Sequence, residues 1–243
     1  MRSSSVKCAV RAAAWVIACA AAGCGHAPGS AESAASADMR DTAANHLPDG
    51  AFLEPEDRAA LPPGVSIRPV YAKGISLTKV SEGFVPNLYE DVARYCTIGY
   101  GHLVKRAPCN GTEPAEFLGG LSEPRGGELL VADMLTTQRA VMTLLQIDVT
   151  DGQYAALCDF TFNVGPSNLR KSKLLRLVNA RQFDQVPGEL ILWTKAGGKE
   201  NDGLKRRRER EIALFFDGRP VPKAAAPEGL NRPLIDIRTG EPG

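Results

Sequence analysis

SEGFVPNLYEDVARYCTIGYGH, residues 81–102, holds more chemistry than a surface loop needs. An acid, Glu82, is followed nine residues on by a second acid, Asp91, and six further by a hydroxyl, Thr97. The turn Gly99-Tyr100-Gly101 comes next. Two carboxyl groups and a hydroxyl suit glycoside hydrolysis. One carboxylic acid protonates the leaving oxygen, and a second, ionised, activates a water or attacks the sugar. An acid in that role keeps its proton near neutral pH, which an apolar surround favours; Val80 and Phe84 flank Glu82. Thr97 would hold the water while Asp91 takes its proton. Composition alone favours a plainer reading, with Glu82 a surface acid, Asp91 a turn residue and Thr97 a strand residue.

Working outward, residues 74–83 read as a helix, with Ile75, Val80 and Phe84 on one face and Gly83 as its stop. Glu82 then stands on the last turn. Residues 87–106 are rich in Tyr, Thr, Ile and Val and punctuated by Asn, Asp and Gly, which predicts a small antiparallel sheet. Residues 107–121 read as loop. Ser122-Glu-Pro opens a long helix to about Leu145, with Leu130, Met134, Val141, Leu144 and Leu145 on its apolar side. Thr150-Asp-Gly-Gln153 is a capping box. It opens QYAALCDFTF, apolar nearly all round and therefore buried, and Asn163-Val-Gly-Pro166 ends it. Ser172 caps a helix to Asn179. Another helix spans about Gln182 to Trp193, interrupted at Pro187-Gly188. Ala196-Gly-Gly198 is a loop, and a basic helix runs from Gly203 to Phe216. The fold class is α+β, with the sheet near the start. The long helix would bridge two lobes, and a polymer substrate would lie in the cleft between them.

The spacing E-x8-D-x5-T, running into Thr97-Ile-Gly-Tyr-Gly-His102, resembles the catalytic segment of phage-type lysozymes, glycoside hydrolase family 24 (endolysins). Gln153-Tyr-Ala-Ala-Leu and Phe160-Thr-Phe-Asn-Val-Gly165 resemble that family's central helix. Ser172-Lys-Leu-Leu-Arg, Leu177-Val-Asn179, Trp193-Thr-Lys-Ala-Gly-Gly198 and Gly203-Leu-Lys-Arg-Arg-Arg-Glu209 resemble its later motifs. The likeness runs in order over about 72–218. It implies a lysozyme-like two-lobed fold, with a small sheet lobe and a mostly helical lobe joined by a long helix. It implies a muramidase that cuts peptidoglycan between N-acetylmuramic acid and N-acetylglucosamine, by hydrolysis with inversion and without a cofactor. Glu82 would be the general acid, Asp91 the carboxylate that manages the water and Thr97 its partner. Tyr100, His102 and Asn163 would contact substrate. Gly99, Gly101 and His102 also have a structural reading, as backbone turn and hydrogen-bonder. In this family an arginine of the last helix can approach the acid, and Arg206, Arg207 and Arg208 are candidates. Trp193 reads as core rather than sugar platform. Two other readings are a lytic transglycosylase, which closes an anhydro ring without water, and a wall-binding lipoprotein without activity. Asp91 and Thr97 favour hydrolysis over both.

The bulk numbers narrow the partners. The chain has 243 residues and a net charge of +1, so no global field draws it to nucleic acid. Three histidines and no clustered Cys/His spacing argue against a metal site. Residues 1–23 have the charged start, the apolar run Ala12–Ala22 and the small-residue end of a signal peptide. Ala21-Ala22-Gly23-Cys24 resembles a bacterial lipobox, so Cys24 would carry lipid. The following Gly25 favours the outer membrane, facing the periplasm. Residues 24–70 read as a flexible tether, 71–218 as the catalytic domain and 219–243 as a low-order tail. The protein is expected to act as a monomer on glycan strands. It departs from the family in three ways: the tether with its lipid signal, Pro187-Gly188, and the pair Cys96 and Cys109. Export makes a disulfide between those two cysteines an expectation, whereas Cys158 reads as a buried free thiol. Wall remodelling, a domesticated prophage enzyme and an antibacterial weapon are all compatible physiological roles.

Overall fold

A computed structural model describes residues 61, 63–223 and 232–242. The signal sequence, Cys24 and most of the tether lie outside the described residues. The first helix, α1 (Ala72–Glu82), ends at Gly83, whose φ of 73° suits glycine and turns the chain sharply into the sheet. Strands β1 (Val85–Glu90), β2 (Cys96–Gly99) and β3 (His102–Lys105) form an antiparallel sheet in that spatial order. Both pairings carry a register shift, between Val85 and Tyr89 and between Cys96 and Thr97. Such bulges re-aim side chains, here beside the acids. The central strand β2 is buried along its whole length.

Residues 107–121 are not all loop. Pro114 opens a one-turn helix, α2 (Ala115–Leu118), which drives Phe117 under the sheet. Phe117, Ile98 and Leu121 form the small core of this lobe, with Phe84, Leu88, Val104 and Leu129 against it. The long helix α3 (Glu123–Leu144) starts at Ser122, whose Oγ accepts from the Arg125 N–H at 3.4 Å. Leu129 belongs to the sheet-lobe core, whereas Leu130, Met134 and Val141 belong to the helical one. The helix therefore bridges the lobes, as expected.

Helix α4 (Asp151–Val164) is the centre of the larger lobe. Its capping box is complete, and Tyr154, Leu157 and Phe160 are buried. Each such side chain contributes about 1.5–3 kcal/mol by leaving water. Gly165 ends α4 and Pro166 opens α5 (Pro166–Lys171). Ser172 then caps α6 (Lys173–Asn179), its Oγ accepting from the Leu175 N–H at 3.0 Å. The expected break at Pro187-Gly188 falls elsewhere. A 3-10 turn (Phe183–Gln185) precedes α7 (Val186–Leu190), and Pro187 occupies the first turn of that helix, where no N–H is needed. The loop expected at 196–198 is the turn of a hairpin, β4 (Lys195–Ala196) with β5 (Lys199–Glu200). Helix α8 (Asp202–Phe215) follows, capped by Asn201.

Both ends of the expected domain need correcting. Val70 is buried, Tyr154 donates its hydroxyl hydrogen to the Arg68 carbonyl at 2.8 Å, and Arg68 pairs with Asp151 at 2.5 Å. The folded part thus begins before residue 71. Nor is the whole C-terminal segment low in order. Residues 232–242 dock beside β4, with the Ile235 N–H donating to the Leu192 carbonyl at 2.7 Å and the Ile237 N–H to the Lys195 carbonyl at 3.0 Å. Leu234, Ile235 and Ile237 supply the apolar contact that a composition reading missed.

Candidate active site

Glu82 closes α1. A carboxylate there faces the negative end of the helix dipole and calls for a cation. Arg207 of α8 supplies it, with Nη1 2.7 Å from Glu82 Oε1. The same guanidinium grips Asp159 of α4 in bidentate fashion, Nε to Oδ2 at 2.9 Å and Nη2 to Oδ1 at 3.1 Å. Its Nε also lies 3.5 Å from Glu211 Oε1. Burial opposes the charge on Arg207, but Asp159, Glu82 and Glu211 outweigh it and raise its pKa. Of the three candidate arginines, Arg207 is the one at the acid. Arg208 lies beneath, fully buried, with Nη1 on both Glu211 oxygens at 2.8 and 2.7 Å and Nη2 on Asn163 Oδ1. Arg206 lines the open cleft.

The apolar flank expected around Glu82 is not what holds it. Val80 is 64% exposed, and Phe84 turns away to stack on Tyr100 with ring centroids 5.2 Å apart. A quarter of the Glu82 side chain is open to a cleft of about 490 Å³, whose lining includes Ser81, Asn163, Ala196, Arg206, Arg210 and Ile237. Among the described residues Glu82 Oε2 has no protein partner, so this oxygen is left to the cleft.

Asp91 sits in the turn between β1 and β2. Its Oδ1 accepts from the Ala93 N–H at 2.8 Å and the Tyr95 N–H at 2.9 Å, which fixes the side chain. Among the described residues Oδ2 has no protein partner. Thr97 is 3% exposed and donates its hydroxyl hydrogen to the Tyr95 carbonyl at 3.1 Å. The Asp91 N–H donates to that same carbonyl at 3.0 Å. The Tyr95 peptide thus ties Asp91 and Thr97 together, and the Thr97 oxygen keeps its lone pairs for an incoming donor.

Tyr89 stands on β1, between the two acids in the sequence. Burial first, then the charges of Asp91 and of Glu82, push its phenol above the ordinary range. One ring therefore senses both carboxylates. Tyr89 stands opposite Thr97 in the β1–β2 pairing, so the two side chains share a face.

Asn163 lines the cleft, with its Oδ1 taken by Arg208. Tyr100 and His102 are not among the residues lining this cleft. Tyr100 is 4% exposed and donates to Glu123 Oε1 at 2.9 Å. His102 Nδ1 lies 2.9 Å from Asp133 Oδ2, and the ring packs on Phe117. Both tie the sheet to α3, Tyr100 from the turn between β2 and β3 and His102 from the start of β3, and His102 also meets α2 through Phe117. Trp193 is core, edge-on to Phe160 at 5.2 Å. Cys96 and Cys109 are joined by a disulfide whose Cα atoms are 4.8 Å apart. Cys158 is a buried free thiol, and burial raises its pKa to about 12.

Sequence reasoning missed Tyr89, Asp159 and Ile237. Asp159 left a signal: it is a lone acid inside a helix otherwise read as apolar all round, and a buried acid implies a buried partner. Tyr89 left a weaker one, at the end of β1 and two residues before Asp91.

The phage lysozyme family model matches residues 79–211, more than half of the chain. The endolysin of Bacillus phage B103 is 38% identical over 148 residues, 60% of this chain and 53% of that protein. The endolysin of Salmonella phage P22 is 34% identical over 147 residues, 60% of this chain and 97% of that protein. The chain thus spans about half the length of the first relative and nearly all of the second. Among solved structures, a variant of P22 lysozyme aligns with a TM-score of 0.55 at 32% identity, covering 62% of this chain and 99% of that one. The muramidase domain of SpmX from Asticaccaulis excentricus aligns at 0.53 and 27%, covering 61% and 99%. The two lobes, the bridging helix and the match over 79–211 converge: this chain is a member of the phage lysozyme family.

Proposed function

We propose that this protein is a muramidase that hydrolyses the β-1,4 bond between N-acetylmuramic acid and N-acetylglucosamine in peptidoglycan. One observation carries the reading. Glu82 stands at a helix end, open to a cleft and oriented by Arg207, while Asp91 and Thr97 are held together through the Tyr95 carbonyl on the neighbouring sheet. In this scheme the Glu82 carboxyl donates its proton from Oε2 to the glycosidic oxygen as the C–O bond breaks. Asp91 Oδ2, the oxygen left without a protein donor, takes a proton from water. The water oxygen bonds to the muramic acid C1, and Thr97 accepts a hydrogen bond from that water. Family membership and the relatives' names support the same substrate.

The test compares the wild-type protein with Glu82→Gln and Asp91→Asn on purified peptidoglycan, with products read by mass spectrometry. The account expects new reducing muramic ends from wild type and a loss of at least a hundredfold in each variant. Anhydro ends would identify a lytic transglycosylase, and retention on the wall without any product would identify a binding protein. Export and lipid attachment at Cys24, with the domain held at the outer membrane, complete the proposal. The sequence of residues 1–24 and the disulfide, at home in an oxidising compartment, support it. Incorporation of a labelled fatty acid that disappears in Cys24→Ser is the expected outcome, and unlabelled wild type would refute the anchor.

A further inference from the structure

The segment 232–242 lies beyond the 79–211 span of the family match, yet it reaches the cleft. Its seating is extensive. Arg232 grips the buried Glu189 with two nitrogens, at 2.7 and 3.1 Å. Backbone hydrogen bonds run to Leu192 and Lys195, and Lys195 pairs with Asp236 as in a parallel sheet. Asn168 Nδ2 donates to the Ile237 carbonyl at 3.0 Å. Asp236 is 5% exposed, and its Oδ2 accepts from the Gly198 N–H at 2.5 Å while Oδ1 accepts from the Arg238 N–H at 2.9 Å. Gly197 and Gly198 both have positive φ, 62° and 77°, as a two-residue hairpin turn asks, and Asp236 anchors that turn through the Gly198 N–H. The turn adjoins Ala196, and Ala196 and Ile237 line the cleft that holds Glu82.

We propose that residues 232–242 are a fixed wall of the substrate cleft, with Ile237 touching the glycan and Asp236 acting as a positioning residue for the Gly197–Gly198 turn. The proposal rests on the cleft being the glycan site. A pyranose ring offers an apolar C–H face as well as its hydroxyls, and Ile237 with Ala196 offers an apolar surface beside Arg206 and Arg210. The wall is attached at five separate places: Glu189, Leu192, Lys195, Asn168 and Gly198. A segment held so broadly serves as part of the binding surface in every turnover. A displaceable plug would instead have to leave before substrate entered.

The experiment uses the full chain, its Ile237→Ala and Asp236→Asn variants and a chain ending at residue 231, with soluble peptidoglycan oligomers as substrate. Ile237→Ala is expected to raise KM roughly tenfold with kcat retained. Asp236→Asn is expected to raise KM in the same direction, again with kcat preserved, a split that general unfolding would not produce. An unchanged KM in a folded Ile237→Ala protein overturns the proposal. So does a shortened chain that works faster than wild type, the signature of a plug. Where the shortened chain does not fold, Ile237→Ala decides alone. Sedimentation with intact sacculi in the Glu82→Gln background separates this proposal from the hydrolase reading. Wild type that binds but never cleaves counts against hydrolysis only. Weaker binding on adding Ile237→Ala supports the wall, and equal binding refutes it.

Discussion

Arg207 touches carboxylates from three helices: Glu82 of α1, Asp159 of α4 and Glu211 of its own α8. Removing it would strand the buried Asp159 and release Glu82 from its orientation. Breaking a buried pair in this way costs roughly 3–5 kcal/mol. Arg207→Ala is therefore expected to lose that much stability in urea unfolding as well as its activity. Wild-type stability in this variant would show that the cluster is not what joins the three helices. Beneath it, burial pushes the Glu211 carboxyl up, opposed by Arg208 and Arg207. In the sheet lobe Glu113 behaves in the opposite way. Lys105 beside it, then the Asn110 and Gly111 N–H groups, hold its carboxyl down from 4.5 to about 2. Because the folded value lies below the unfolded one, this residue stabilises the fold above about pH 4.5, and the contribution is lost as pH falls toward about 2. Unfolding midpoints across that window should fall more steeply for wild type than for Glu113→Gln. Parallel curves would assign the acid sensitivity elsewhere, for example to Asp217 or Asp236, whose carboxyls are also lowered.

At the scale of elements, α1 crosses α4 closely enough to require glycine. A Cβ on Gly74 would lie 2.4 Å from Val70 Cγ1 and 2.7 Å from Ala155 Cβ. Gly74→Ala should therefore cost about 1–3 kcal/mol despite the better helix propensity of alanine. A neutral or stabilising result would mean that the two helices can part without penalty. The Cys96–Cys109 disulfide closes a separation of thirteen residues across the sheet lobe. Cys109→Ser should lose about 2–3 kcal/mol on the chain-entropy argument, and an unchanged chemical-denaturation midpoint would contradict it. Elements that announce themselves by local chemistry were legible in the sequence. Ser122, Thr150 and Ser172 each cap the helix they were expected to cap, because capping is decided within four residues. Helix α2 was not legible. Its four residues form because Phe117 finds the underside of a sheet that is distant in sequence. Pro187 was read as an interruption because local reasoning could not tell the interior of a helix from its first turn.

For the molecule as a whole, α3 gives a core to each lobe, and the cleft that holds Glu82 opens between the end of α1 and the start of α8. The α+β class and the two-lobe plan could be read from element order and one catalytic-looking stretch. Glu82, Asp91 and Thr97 could be singled out as candidates only because the whole run of motifs is similar to one family. The arginine at the acid could be narrowed to three consecutive residues and no further, since which face of α8 turns inward depends on Asp159 across the core. The C-terminal wall was illegible for a related reason: Asp236 is bound by the Gly198 N–H, distant in sequence, whose position no local pattern reveals. In the proposed mechanism Glu82 protonates the leaving oxygen while Asp91 directs a water to the sugar, and digestion of peptidoglycan in 18O-water puts that division of labour to the test. The account predicts one 18O atom at each new reducing muramic end, with the signal lost in Glu82→Gln. Unlabelled anhydro ends from an active protein would contradict it, because no water would then have entered the bond.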